Sequence, residues 1–179
     1  AVEDSEVNLG EFDTADHATE NQGITLTGDG TFVADRVTST TGNTLTVGDG
    51  TDTTTLQVNE SLSTGNALTV SNLGTFAVNK DVVLTETAEG LTVNEGVGST
   101  TVNAGGTYQI IGLDSVDVTE LASLREGLMG EDSAGLFNVG AATITGLEKN
   151  GHDHYDYTQL AGSTGNDLLD KIVDVTDDQ

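Results

Sequence analysis

Two of the three histidines in this 179-residue chain stand two positions apart, His152 and His154, within Gly151-His152-Asp153-His154-Tyr155-Asp156-Tyr157. In an extended strand residues i and i+2 point the same way, so the pair would present two imidazoles on one side. Neutral imidazole is the commonest transition-metal ligand, yet two nitrogens do not complete a shell. Three chains meeting on a threefold axis would supply six, an octahedral set that suits iron or nickel better than tetrahedral zinc. The same residues also read as an exposed polar loop with two incidental histidines. Carboxylates offer a second chemistry. Gly48-Asp49-Gly50-Thr51-Asp52 could present oxygen ligands to calcium, although Gly-Asp-Gly is first of all a tight-turn sequence. Gly162-Ser163-Thr164-Gly165-Asn166-Asp167-Leu168-Leu169 matches a calcium-binding nonapeptide except at Ser163, but that fold sandwiches its ion between tandem copies and this chain has one.

Composition closes several other routes. Thirty Asp plus Glu against five Lys plus Arg give a formal net charge of -25. Such a chain repels the phosphates of nucleic acid and the anionic surface of a membrane. No stretch of about 18 apolar residues is present to span a bilayer. The absence of cysteine removes disulfides, thiolate metal sites and thiol catalysis. Enzymatic chemistry finds no support: there is no serine elbow with a matching His and Asp, no glycine-rich phosphate cradle, and no aromatic platform for sugars beyond Tyr155 and Tyr157. The chain reads as a non-enzyme with no nucleic-acid or membrane partner.

The elements that must carry these residues are repetitive. Leu45-Thr46-Val47 recurs as Leu68-Thr69-Val70 and Leu91-Thr92-Val93, twice at a spacing of 23, with Ile24-Thr25-Leu26 as a weaker copy upstream. Between the triplets lies a second phrase, a glycine turn followed by threonine and a short apolar strand: Gly30-Thr31-Phe32-Val33, Gly50-Thr51 leading to Leu56-Gln57-Val58, and Gly74-Thr75-Phe76-Ala77-Val78. In the third repeat, the one that opens with Leu91, Ser99-Thr100-Thr101-Val102-Asn103 reads as a drifting copy of this second phrase. Alternation at period two predicts strands of four to six residues, with Leu45 and Val47 inward and Thr46 outward, and likewise for Leu68 with Val70 and Leu91 with Val93. A stripe that narrow calls for sharing, either along a solenoid or among three chains wound around one axis. The fold class expected is therefore mainly β: a repetitive short-strand array, as a trimeric intertwined β-prism or a β-solenoid, with a short helix and a small C-terminal region.

That helix is read from Asp117-Val118-Thr119-Glu120, which has the spacing of a capping box, followed by Leu121, Leu124 and Leu128 on one seam, giving a helix over 117–129. It would either associate with its symmetry mates or lie across the end of its own β-stack. Residues 136–147 read as one more strand pair around Gly140 and Gly146, and a terminal helix follows, capped by Ser163 or Thr164, with Leu168, Leu169, Ile172 and Val175 on its face. Residues 1–20 hold seven acids and no Lys or Arg, without repeat or alternation, and read as an extended acidic docking arm. The organisation expected is an arm over 1–20, a β-repeat shaft over 21–113, the helix within 114–130, and a C-terminal strand, His-motif and helix region over 131–179.

Gly151 to Leu160, GHDHYDYTQL, resembles the GHxHDxxY-type motif of bacteriophage tail fibres, and phrases such as GNTLTVGDGT and GNALTV resemble those of trimeric virion appendage shafts. Here Tyr155 follows the second histidine and Asp156 comes one place later than in that motif. The resemblance implies a homotrimeric virion fibre, or a capsid or tail appendage, that contacts other virion structural proteins and holds an iron-like metal on its axis through His152 and His154. The alternative is a cell-surface filament, S-layer or adhesin subunit of a marine or saline organism, located extracellularly rather than on the virion.

Overall fold

Short runs of Thr, Val and Leu broken by glycine turns can bury their apolar face only by lying side by side, and the chain does this in parallel. The computed structural model describes residues 2–13, 23–39, 44–64, 68–87, 90–93 and 100–146. In chain order the first strands are β1 (Val2–Asp13), β2 (Gly23–Leu26), β3 (Gly28–Ser39), β4 (Thr44–Val47), β5 (Thr54–Thr64), β6 (Leu68–Val70) and β7 (Thr75–Asn79). A short helix α1 (Lys80–Val83) leads to β8 (Leu84–Thr87), β9 (Gly90–Val93), β10 (Thr100–Val102), β11 (Thr107–Ile111) and β12 (Ser115–Asp117). Helix α2 (Val118–Leu128), β13 (Leu136–Asn138) and β14 (Thr143–Thr145) complete the described part.

Two parallel sheets dominate, one of six strands in the order β1-β3-β5-β7-β11-β13 and one of four in the order β10-β6-β4-β2. The chain passes from the small sheet around a corner into the large one (β2 to β3, β4 to β5, β6 to β7, β10 to β11), so successive passes stack as the rungs of a solenoid. The corners are tied by backbone bonds from rung to rung: Gly48 N–H donates to Leu26 O, Ser71 N–H to Val47 O and Asn103 N–H to Val70 O, each at 2.9 Å.

In-register parallel pairing places equivalent residues on top of one another. Phe32, Leu56, Phe76, Tyr108 and Phe137 form one inward column of the large sheet, and Leu26, Val47, Val70 and Val102 form one of the small sheet. Both columns belong to a single hydrophobic core. Leu45, Val47 and Val70 are wholly buried and Leu68 is 1% exposed within this one chain. Of the two ways of sharing the stripe, the described residues show the one along a solenoid: each rung brings its own opposing strand, and full burial of a Val or Leu stabilises by about 1.5–3 kcal/mol.

The third triplet departs from expectation. Leu91-Thr92-Val93 does not continue the stack but pairs antiparallel with β8, and half-buried Val93 lies against Gly127 of α2. The vacated place in the small sheet is taken by Thr100-Thr101-Val102, which pairs with Leu68-Thr69-Val70 and so acts as a copy of the first phrase rather than the second. The N-terminal segment also differs from expectation. Residues 2–13 are an edge strand of the chain's own large sheet, parallel to β3, with Phe12 buried.

The capping box is present: Asp117 accepts from Thr119 N–H at 2.9 Å, and Glu120 accepts from Asp117 N–H at 3.1 Å. Leu121, Leu124 and Leu128 all enter the chain's own core, so α2 covers the stack rather than offering a free seam. Bonds from the Thr119 hydroxyl and amide hold the Asp117 carboxyl below its ordinary range. The cap therefore contributes fully above the usual carboxylate pKa, and its contribution fades as pH falls through the lowered value. The strand pair expected over 136–147 exists as β13 and β14, but the two do not pair with each other: β13 adds to β11, and β14 adds to β12.

Candidate functional site

His152 and His154 lie outside the described residues, as do the nonapeptide-like segment and the segment expected to form a terminal helix, with Ser163, Thr164, Leu168, Leu169, Ile172 and Val175. Among the described residues no group of three or more His, Cys, Asp or Glu is gathered closely enough to hold a metal ion.

The Gly48 to Asp52 segment is a turn built on its own carboxylate. Asp49 Oδ1 accepts from the Thr51 amide at 2.9 Å and from the Thr51 hydroxyl at 2.6 Å, and these two bonds hold the exposed carboxyl below its ordinary range. One rung away, Asp29 Oδ1 accepts from Thr53 N–H at 2.8 Å, and the buried Thr54 hydroxyl donates to Gly28 O at 2.8 Å. These bonds account for Asp49 and Asp29 as parts of the corner, since an Asx-type bond replaces the backbone partner that a turn lacks.

The outer faces carry the more regular chemistry. Thr25, Thr46, Thr69 and Thr101 stack in register on the small sheet, and Thr31, Thr55, Thr75 and Thr107 do so on the large one. No charged residue occurs in β2, β4, β6 or β10, although charged residues make up 20% of the chain. Acids gather instead on β1, at the corners and on α2. Such ladders present methyls and hydroxyls at a strand spacing of about 4.8 Å.

Three features escaped the sequence reading. Arg36 on β3 reaches Glu11 of β1 at 3.3 Å and Glu60 of β5 at 3.5 Å, tying three adjacent strands. Both pairs are solvent-exposed, so their worth is below about 1 kcal/mol each. Leu73 has a φ of 63° and is the exposed large hydrophobic of the described residues, held in place as its N–H donates to Gly105 O at 2.9 Å. Tyr108 is fully buried between Phe76, edge-on at 5.2 Å, and Phe137 at 5.9 Å, and its hydroxyl has no hydrogen-bond partner. The phrase Gly-Thr-Phe at 30–32 and 74–76, with Gly-Thr-Tyr at 106–108, was the signal that could have placed it in this column.

Burial pushes the Tyr108 phenol well above its ordinary range, which keeps it neutral and leaves the hydroxyl as a desolvated polar group. Tyr108→Phe is expected to leave stability unchanged or raise it by about 1 kcal/mol in urea unfolding. A loss greater than that would mean that the hydroxyl is bonded to a buried water.

No helix among the described residues is long and apolar enough to cross a membrane, a statement that leaves β-barrels aside. No known protein family, curated protein or solved structure matches the chain.

Proposed function

We propose that the chain is a structural segment of a surface appendage, extracellular or on a virion, whose work is to hold neighbouring parts in fixed geometry. The observation that carries this reading is the stack itself: in-register rungs closed on one core, faced by uncharged threonine ladders. A charge of -25 suits it to a saline exterior, where repulsion between copies is screened within a few ångströms at high ionic strength. Within that class, a cell-surface filament, S-layer or adhesin subunit fits a chain that buries its own stripe. A homotrimeric virion fibre or capsid decoration is the second reading, favoured by the GHDHYDYTQL motif and by the threonine ladders as contact faces.

Immuno-electron microscopy with antibodies raised against residues 23–146 tests the shared claim. Labelling of projections on cells or virus particles is the expected result, and labelling confined to the cell interior would overturn it. Mass photometry with element analysis separates the two readings. A stable trimer carrying about one transition metal per three chains supports the fibre, with His152 and His154 as ligands, and a metal-free monomer supports the cell-surface subunit.

A further inference from the structure

We propose that Asn59 is the attachment site of an N-linked oligosaccharide, a modification that rests on the surface-appendage reading because it is made on exported chains. Asn59-Glu60-Ser61 has the acceptor pattern, an asparagine followed two places later by a hydroxyl residue. Of the twelve asparagines this is the one with Ser or Thr at that distance, whereas six have glycine there. Two of those six are seen to serve turns: Gly10 N–H donates to Asn8 Oδ1 and Gly140 N–H to Asn138 Oδ1, each at 2.8 Å. Asn59 stands inside β5 and builds no corner, so turn chemistry does not account for it.

A three-residue pattern is common by chance, and what singles this one out is its place in the fold. β5 leaves regular pairing here on both sides. Toward β3, Ala34 pairs with Val58 and Arg36 with Ser61, so Asn59 and Glu60 together face Asp35 alone, a bulge. Toward β7, the ladder ends at the pair Val58 and Val78. A bulge frees backbone from the ladder and re-aims the side chains it carries. Glu60 and Ser61 are exposed, and Asn59 is half-buried next to wholly buried Val58. The tripeptide therefore offers its amide and its hydroxyl to the outside from backbone that is not locked between two neighbours.

The side chains are arranged to suit. Gln57 Nε2 donates to Asn59 Oδ1 at 2.9 Å, which orients the amide, and among the described residues nothing accepts from Asn59 Nδ2, the atom that would carry the sugar. Glu60, the middle residue, has its own partner in Arg36, with 3.5 Å between Oε2 and Nε. The step is a substitution at a sugar carbon. Asn59 Nδ2 forms a bond to the anomeric carbon of an oligosaccharide carried on an isoprenoid phosphate, and the bond from that carbon to the phosphate oxygen breaks. The phosphate leaves with the electron pair, the amide gives up one proton to a base of the transferase, and nothing is oxidised or reduced. The product is a bulky, solubilising group on the outer face of the large sheet, which a core or corner position could not accept.

The test uses the protein purified from its source organism. Cleavage after Lys and Arg places Asn59 in the peptide from Val37 to Lys80. Mass spectrometry should find that peptide carrying a saccharide increment, with fragmentation placing it on Asn59. The variants N59Q and S61A, expressed in the same organism, should each lose the increment, and S61T should keep it. S61A leaves the acceptor amide in place, so its loss reports recognition of the tripeptide rather than removal of the attachment atom. Ser61 is exposed, and circular dichroism should show both variants folded like the parent. An increment that survives in N59Q or S61A belongs to another residue and would overturn the proposal. A bare Asn59 in protein whose antibodies label projections would overturn it too, and would leave the surface reading standing. Labelling confined to the cell interior with Asn59 bare would overturn both.

Discussion

Replacing Val70 by Asp should leave the chain without a cooperative unfolding transition at neutral pH. Val70 is wholly buried on β6, between Val47 of β4 and Val102 of β10, in the column that the small sheet presents to the core. A carboxylate there must either stay ionised without a partner or take up a proton, and both cost several kcal/mol. Domains of ordinary stability have only about 5–15 kcal/mol in total. Because the neutral acid is the less costly form in the core, the folded-state pKa of the new Asp would be raised, and folding should recover in part as pH falls below that value. Thr69→Asp is the control. Its side chain is half-buried on the outer face one residue away, and its cost should be under about 1 kcal/mol. Circular dichroism with urea unfolding, repeated across protein concentrations, reads both variants. A V70D protein that keeps the parent midpoint would show that the column is not where stability resides, and a parent midpoint that moves with concentration would place part of that burial between chains.

Gly106→Ala should cost about 3 kcal/mol, the upper part of the range for overpacking. A Cβ at this position would lie 2.7 Å from Ser71 O, 3.1 Å from Val70 O and 3.2 Å from Asn103 O. All three are backbone oxygens of the corner, so no side chain can rotate away to make room. Moving the residue outward would disturb the bond from Thr107 N–H to Gly74 O and the bond from Leu136 N–H to Gly106 O, both 2.9 Å. The same position on neighbouring rungs is Gly74, whose Cβ would run into Val47 O, and Gly135, whose Cβ would meet Gly106 O at 2.7 Å. The corner is thus a column of close backbone approaches. Gly50→Ala makes the comparison useful, because a Cβ there meets nothing within 4 Å while φ is +88°, so only the conformational strain of about 1 kcal/mol applies. Equal losses for the two variants in urea unfolding would sink the packing argument at the corner.

Local chemistry made much of this legible. Alternation of Leu, Thr and Val at period two gave the inward and outward residues of β4 and β6, because side-chain direction in a strand depends only on the residue's own position. The spacing from Asp117 to Glu120 and the leucines after it gave α2 to within a residue at either end, because a capping box is closed by neighbours three apart. The strands over 136–147 were visible for the same reason. β1 was not, and its bulges explain why. Half-buried Val7 and Leu9 are two apart, buried Phe12 is three further on, and the change of parity at Gly10 erases the alternation that marks a strand.

Composition and local pattern were enough to show a β-rich, strongly acidic chain with outward threonines, and the place where its short helix starts. Which segment fills which rung was set by contacts between distant parts of the chain. Equivalent threonines of the small sheet are 21 residues apart from Thr25 to Thr46 and 23 from Thr46 to Thr69, but 32 from Thr69 to Thr101. A strict repeat of 23 leads to Leu91, whereas the chain passes that triplet to a hairpin beside α2 and closes the rung with Thr100 to Val102. Lengthening a loop costs little entropy, so nothing local forbids the detour; what selects it is burial of Val102 beneath the next corner, a contact between residues far apart in sequence.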